Sequence, residues 1–195
     1  LILMLDSDNE PDGYLGADPE ARPFWDTAFD FSYERLLHGI PTIIASPYCG
    51  PPPHPIEKEG FRDAGDIPYL FQWEDNESGE EHPSRKLEIL GRNEAARLRG
   101  IYPMAALPTG VCLITTNTFS GMPHPYFDYE MNARKSEKNS TEDVYFTRNA
   151  SLFWMMTKGI NVCFAACDSW ALHHKPKKVG RPRVTPVEVM AKNFR

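Results

Sequence analysis

No stretch of this chain is long enough to cross a membrane. Its longest apolar runs, such as Gly159 to Cys167, cover about nine residues where a spanning helix needs roughly 20. Cysteine is scarce, and Cys49, Cys112, Cys163 and Cys167 form no CxxC and no paired spacing. That excludes a zinc ribbon or a disulfide framework and leaves reduced, buried thiols as the expectation. There is no excess of positive charge either. Lys+Arg number 21 against 27 Asp+Glu, a net charge of −6, which argues against a general polyanion binder. No basic segment precedes Leu1 to Leu5, so these residues read as an interior strand rather than a secretory leader, and the chain reads as starting mid-domain. Without a leader, the sequons at Asn76, Asn139 and Asn149 carry no weight as glycosylation sites. Internal repeats are lacking too.

What is there is the composition of a single globular domain: 195 residues, 41% hydrophobic and 12% aromatic. Leu1 to Leu5 predicts a fully buried, central parallel strand that ends in Asp6-Ser7-Asp8. Phe24 to Leu37, with apolar residues at Phe24, Ala28, Phe31 and Leu36 and Gly39 beyond, predicts a helix, and Thr42 to Ala45 a strand. Seven of the 18 prolines lie between Pro41 and Pro68, which makes Ser46 to Gly60 a loop of polyproline character. Ile67 to Trp73 alternates as a half-buried strand, Glu74 to Pro83 reads as a surface loop, and Ser84 to Arg99 reads as a helix with Leu87, Leu90 and Leu98 on one side. Val111 to Thr115 is the next strand and the polar run Asn132 to Asn139 a loop. Ser140 or Thr141 then caps a helix that carries Glu142 and Asp143 in its first turn and stops at Gly159. Ile160 to Cys167 predicts a second buried strand. Strands alternating with helices make the chain α/β, with a mixed, mostly parallel sheet flanked by helices.

Three constellations could carry chemistry. Asp6 and Asp8 stand at the carboxyl end of a strand, where open α/β sheets bind ligands and where two carboxylates call for a compensating cation or donor. The ordinary reading is a solvated turn. Glu142 and Asp143 at a helix start are commonly dipole partners, but a carboxylate held beside a cleft can also act as general base on a hydroxyl. His173 and His174 follow a buried strand, and an imidazole added to carboxylates makes a mixed O/N site for Mn²⁺ or a similar ion. A pair of exposed histidines beside a basic tail is the plainer alternative.

In their order, these segments resemble the second half of a GT-A fold glycosyltransferase. LILMLDSDNEP is similar to the metal-binding DxD strand, GIPTIIASPY to the following helix-to-strand unit and LPTGVCLIT to the glycine-bearing strand. TEDVYFTRNASLFWMMTKGINVCFAACDSWALHH is similar to the Glu-Asp helix, the next strand and the terminal histidine. The resemblance covers residues 1 to 55 and 107 to 174 and is weak between 56 and 106. It implies a GT-A-like, Rossmann-related catalytic domain over residues 1–175 that lacks its first, nucleotide-binding βαβ part, followed by a basic tail over 176–195. It further implies a metal-dependent transfer of sugar from a UDP- or GDP-sugar donor to a glycan, lipid or protein acceptor.

Position by position, the resemblance assigns Asp8 to a Mn²⁺ or Mg²⁺ ion on the donor diphosphate, with Asp6 on the ribose or sharing the metal. His174 completes the metal shell, and His173 stands where the family often has glycine, so either histidine is a candidate ligand. Thr109 and Gly110 lie beside the donor sugar, and Asp143 with Glu142 faces the acceptor as base of an inverting reaction. The expected location is cytoplasmic, or peripheral to the inner membrane face. The aromatic face Tyr69, Phe71 and Trp73 could stack on a sugar but reads more simply as core. Two other readings compete. Gly180-Arg181-Pro182-Arg183 resembles the core of an AT-hook, although the acidic remainder of the chain lacks a basic stripe and no nucleic acid is expected. A metal-dependent hydrolase could use the same Asp/His set.

Overall fold

The structure is a computed structural model that describes residues 1–12, 22–47, 70–73, 87–131 and 138–173. In chain order the elements are β1 (Ile2–Leu5), β2 (Asn9–Glu10), α1 (Phe24–Leu37), β3 (Thr42–Ala45), β4 (Phe71–Trp73), β5 (Leu87–Ile89), α2 (Arg92–Ala95), β6 (Ile101–Pro103) and β7 (Val111–Ile114). A 3-10 turn at Thr116–Phe119 follows, and then β8 (Glu130–Met131), β9 (Lys138–Ser140), α3 (Glu142–Lys158), β10 (Cys163–Cys167) and β11 (Leu172–His173). No helix among the described residues is long and apolar enough to cross a membrane.

Five strands make the central sheet in the order β1-β7-β3-β10-β6. The expected mixed sheet is present, but it is not mostly parallel in its pairing. Among the described residues β3–β10 is its one parallel ladder, and β1–β7, β7–β3 and β10–β6 are antiparallel. Strands β1, β3 and β10 therefore run one way and β7 and β6 the other. Alternation along the strands divides the core between the two faces. Ile43, Ala45, Cys112, Ile114, Phe164 and Ala166 meet Phe146, Ala150 and Trp154 of α3. Ile44, Val111, Leu113, Ala165 and Cys167 meet Phe24 and Ala28 of α1 on the other side. A sheet between two helix layers is the result.

Each long helix ends as its sequence requires. Gly39 at φ +71° and Gly159 at φ +63° take the left-handed turn that a β-carbon disfavours, and the Gly159 N–H closes α3 on the Met155 carbonyl at 3.0 Å. The start of α1 is capped from a distance. Asp12, itself at φ +62°, accepts from the Phe24 N–H and the Ser169 hydroxyl, both at 2.6 Å. Ser46 Oγ donates to the Ser169 carbonyl at 2.6 Å, and the Ala171 N–H donates to the Pro47 carbonyl at 2.8 Å. The exits of β3 and β10 are thus bolted to the segment leaving β2. This arrangement directs β11 back to pair antiparallel with β2, Leu172 opposite Glu10 and His173 opposite Asn9.

Elsewhere the structure departs from what the sequence predicts. Strand β1 is neither central nor fully buried: among the described residues it pairs only with β7, and α1 lies over β3, β7 and β10, so Leu3 and Leu5 are 51% and 48% exposed. In the described part of Ser84 to Arg99, the expected long helix is replaced by β5, whose Ile89 and Leu87 pair with Phe71 and Trp73 of β4. Only the four residues of α2 are helical there, after Gly91, whose N–H is held by Glu94 at 3.0 Å. At the end of the expected 132–139 loop, Lys138 and Asn139 belong to β9, paired with β8. Thr141 occupies the N-cap position of α3, but its side chain makes no capping bond. Among the thiols, Cys112 and Cys167 are buried and Cys163 half-buried, all free of disulfides, while Cys49 lies outside the described residues.

Candidate active site

Because β7 runs antiparallel to β1, the start of one lies at the carboxyl end of the other, and Thr109-Gly110 is brought beside Asp6. Leu5 pairs with Val111, and the Asp6 N–H donates to the Gly110 carbonyl at 2.8 Å. Helix α3 then delivers its first turn to the same corner, where the Thr109 hydroxyl donates to Asp143 Oδ1. Thr109 is buried, and its backbone N–H also hydrogen-bonds the Asp143 carboxyl. Five predicted residues, Asp6, Thr109, Gly110, Glu142 and Asp143, are thus collected from three separate segments. The Thr109 hydroxyl, expected near the donor sugar, is engaged with Asp143.

Electrostatics at this corner push one carboxyl out of its usual range. Burial raises Asp143 from its ordinary 3.8 to about 6, with the charges of Glu142 and Asp6 adding to the rise, while the two Thr109 hydrogen bonds pull against it. A carboxylate with a value near 6 is ionised at neutral pH yet basic enough to accept a proton, which is the compromise a general base needs. In the adjoining strand β7, the Cys112 thiol donates to the Thr109 carbonyl at 3.5 Å. Burial and the negative charges of Asp143 and Asp6 raise its value strongly, so it is a neutral support and not a nucleophile.

One residue at the site was not read from the sequence. Tyr129 precedes β8, and its phenol donates to Glu142, an interaction that, with the Glu142 charge, burial and Asp143, raises the phenol above its ordinary value. Its backbone N–H is held by Asp128 Oδ1 at 2.7 Å, and Glu130 in the following strand forms an ion pair with Arg148 of α3 at 2.6 Å. The β8–β9 hairpin is thereby fastened to the helix that carries Glu142. The only signal in the sequence was an aromatic-rich loop after Pro125, which composition cannot position.

Asp8 and the backbone of His173 fall on the adjoining edge. Ser7 and Asp8 form a turn closed by the Asn9 N–H on the Asp6 carbonyl at 3.1 Å, with Asp8 half-buried. Pairing of β11 with β2 sets the His173 backbone opposite Asn9, one residue from Asp8. His174 lies outside the described residues, as do Tyr69, Arg181 and Arg183. Phe71, from the aromatic face considered as a sugar platform, is half-buried in β4. Among the described residues, the buried Asn9 Oδ1 atom has no hydrogen-bond partner. Carboxylate oxygens with an imidazole suit Mn²⁺ or Mg²⁺ by chemistry, and a buried acceptor on the residue after Asp8 suits a cation or a ligand donor. Among the described residues, no three His, Cys, Asp or Glu side chains are already gathered around one point as a metal site.

No protein-family model matches the chain, and neither the curated proteins nor the solved structures yield a match.

Proposed function

We propose that the chain is the catalytic part of a metal-dependent glycosyltransferase that moves a sugar from a nucleotide-sugar to an acceptor hydroxyl. The observation that carries this reading is the convergence of Asp6, Thr109-Gly110 and Asp143 on one corner at the carboxyl end of β1, with Asp143 raised to about 6. A purely binding role for a strand-end acidic pair does not require a second, buried carboxylate tuned for proton transfer.

In the proposed reaction, Asp143 accepts the proton of the acceptor hydroxyl as its oxygen bonds to the anomeric carbon. The bond from that carbon to the nucleotide diphosphate breaks at the same time, and the diphosphate leaves. Thr109 fixes the Asp143 carboxylate, so little reorientation is needed at the moment of transfer. Glu142 contributes charge that keeps Asp143 basic. Asp8 and Asp6, with His174 or His173, would hold a Mn²⁺ or Mg²⁺ ion, which supplies Lewis-acid neutralisation of the departing diphosphate.

The test is release of UDP or GDP from a panel of UDP- and GDP-sugars with and without Mn²⁺, on wild type and Asp8→Ala. Metal-dependent release that is lost in Asp8→Ala is the expected outcome. Binding and turnover that ignore both metal and Asp8 would overturn the reading. Release of free sugar at equal rate with and without any acceptor would favour a hydrolase instead.

A further inference from the structure

We infer that Asp12 is a positioning residue for the metal-binding edge of this site, the side chain that keeps the Asp6–Asp8 turn and the strand carrying His173 close enough to share one divalent ion. The inference rests on the transferase reading above. The two segments leave the sheet far apart. The turn follows β1 and β11 follows β10, and in the order β1-β7-β3-β10-β6 those strands are separated by three strand spacings, roughly 14 Å. Two ligands at about 2.1 Å from one Mg²⁺ ion are at most about 4 Å apart. The exits must therefore be drawn together by something other than the sheet.

Two described features do this. The β2–β11 ladder pairs Asn9 with His173 and Glu10 with Leu172, and so short a ladder has little stability of its own. The second feature is Asp12. Its Oδ1 atom accepts from the Phe24 N–H and from the Ser169 hydroxyl, both at 2.6 Å. Ser169 lies between β10 and β11, and its carbonyl accepts from Ser46 Oγ at the exit of β3 at 2.6 Å. One carboxylate thus joins the continuation of β2, the start of α1 and the approach to β11, and its charge strengthens both bonds. Capping α1 needs only the Phe24 bond. The Ser169 bond plays no part in the cap and is the one that ties the two segments. The backbone agrees with this role: Asp12 stands at φ +62°, a conformation that a β-carbon disfavours and that persists where surrounding contacts hold it.

The experiment is a Mn²⁺ titration followed by EPR of the free ion, on the full chain as wild type, Asp8→Ala, Asp12→Asn, Asp12→Gly, Ser169→Ala and Trp154→Phe. Thermal unfolding establishes that each is folded. Trp154→Phe removes the Nε1 donor to the Thr118 carbonyl at 2.8 Å, beyond the other end of β7, and reports what lost stability alone does. Wild type is expected to bind Mn²⁺ through Asp8. Asp12→Gly, which relaxes the backbone but removes the acceptor, and Ser169→Ala, which spares the Phe24 bond, should each weaken binding by about tenfold or more. Asp12→Asn keeps an acceptor and tolerates the same φ, so it should stay within a few-fold, and Trp154→Phe should match wild type. Asp8-dependent binding that is undiminished in folded Asp12→Gly and Ser169→Ala, or equally diminished in Trp154→Phe, would overturn the inference and leave the transferase reading standing. Binding that needs both Asp8 and Asp12 without turnover of any UDP- or GDP-sugar sinks the transferase and keeps the positioning role, whereas a wild type that binds no Mn²⁺ overturns both.

Discussion

Replacing Asp143 by Asn should stabilise the protein at pH 8 and leave it almost unchanged at pH 4. The displacement of the Asp143 carboxyl from 3.8 to about 6 corresponds to about 3 kcal/mol of differential interaction between its two protonation states. Because the folded-state value is the higher one, the folded protein binds the extra proton across this window. The group's favourable contribution is complete below the ordinary value and disappears as pH rises through about 6. The amide introduced by Asp143→Asn would keep an acceptor for the Thr109 hydroxyl while carrying no charge, so the variant escapes that loss. For a chain of this size, about 3 kcal/mol corresponds to roughly 6–12 °C in Tm. Differential scanning fluorimetry of wild type and Asp143→Asn from pH 4 to 8 measures it, with denaturant midpoints as a second readout. A Tm difference that stays constant across this range, or a variant less stable at pH 8, would refute the burial of a charged Asp143.

Other consequences can be checked by ordinary stability measurements. Asp12→Ala leaves the Phe24 N–H and the Ser169 hydroxyl without their shared acceptor and should cost about 1–3 kcal/mol in urea unfolding, with Asp12→Asn recovering most of it. Phe146→Ala removes a fully buried ring that lies 4.4 Å and 5.4 Å, centroid to centroid, from Phe127 and Phe119, and should cost about 3–5 kcal/mol by the same assay. Leu3→Lys places a charge on the exposed edge strand, so self-association measured by light scattering should fall while Tm moves by no more than a degree or two, a change within about 0.5 kcal/mol.

Elements with strong local signals were legible in the sequence. Helix α3 runs from Glu142 to Lys158 because first-turn acids and Gly159 mark its ends, and α1 spans Phe24–Leu37 as its apolar spacing predicts. The residues that meet at the corner were each singled out in the sequence, Asp6, Glu142 and Asp143 by their placement and Thr109 and Gly110 through the resemblance. Their mutual contacts were not, because the Thr109–Asp143 bond joins residues 34 positions apart and depends on the antiparallel pairing of β7 with β1. Period alone misread Leu87 to Ile89, where cross-strand pairing with β4 prevails over a helical leucine spacing. The strand β1 reads as buried because all five opening residues are apolar, but burial is decided by neighbours, and among the described residues it has a strand on one side only. Tyr129 escaped because its role comes from Glu142, which the fold and not the local sequence places beside it.

The central claim is that Asp143 is the proton acceptor of sugar transfer, and the pH dependence of nucleotide-sugar turnover by wild type and Asp143→Asn tests it most directly. Below the range in which other groups intervene, kcat/KM of wild type should climb with pH and level off above about 6, the value its carboxyl takes in the folded protein. Asp143→Asn should lose about 10²–10⁴-fold in turnover together with that ascending limb. A variant that keeps wild-type turnover and the same pH profile would contradict the account.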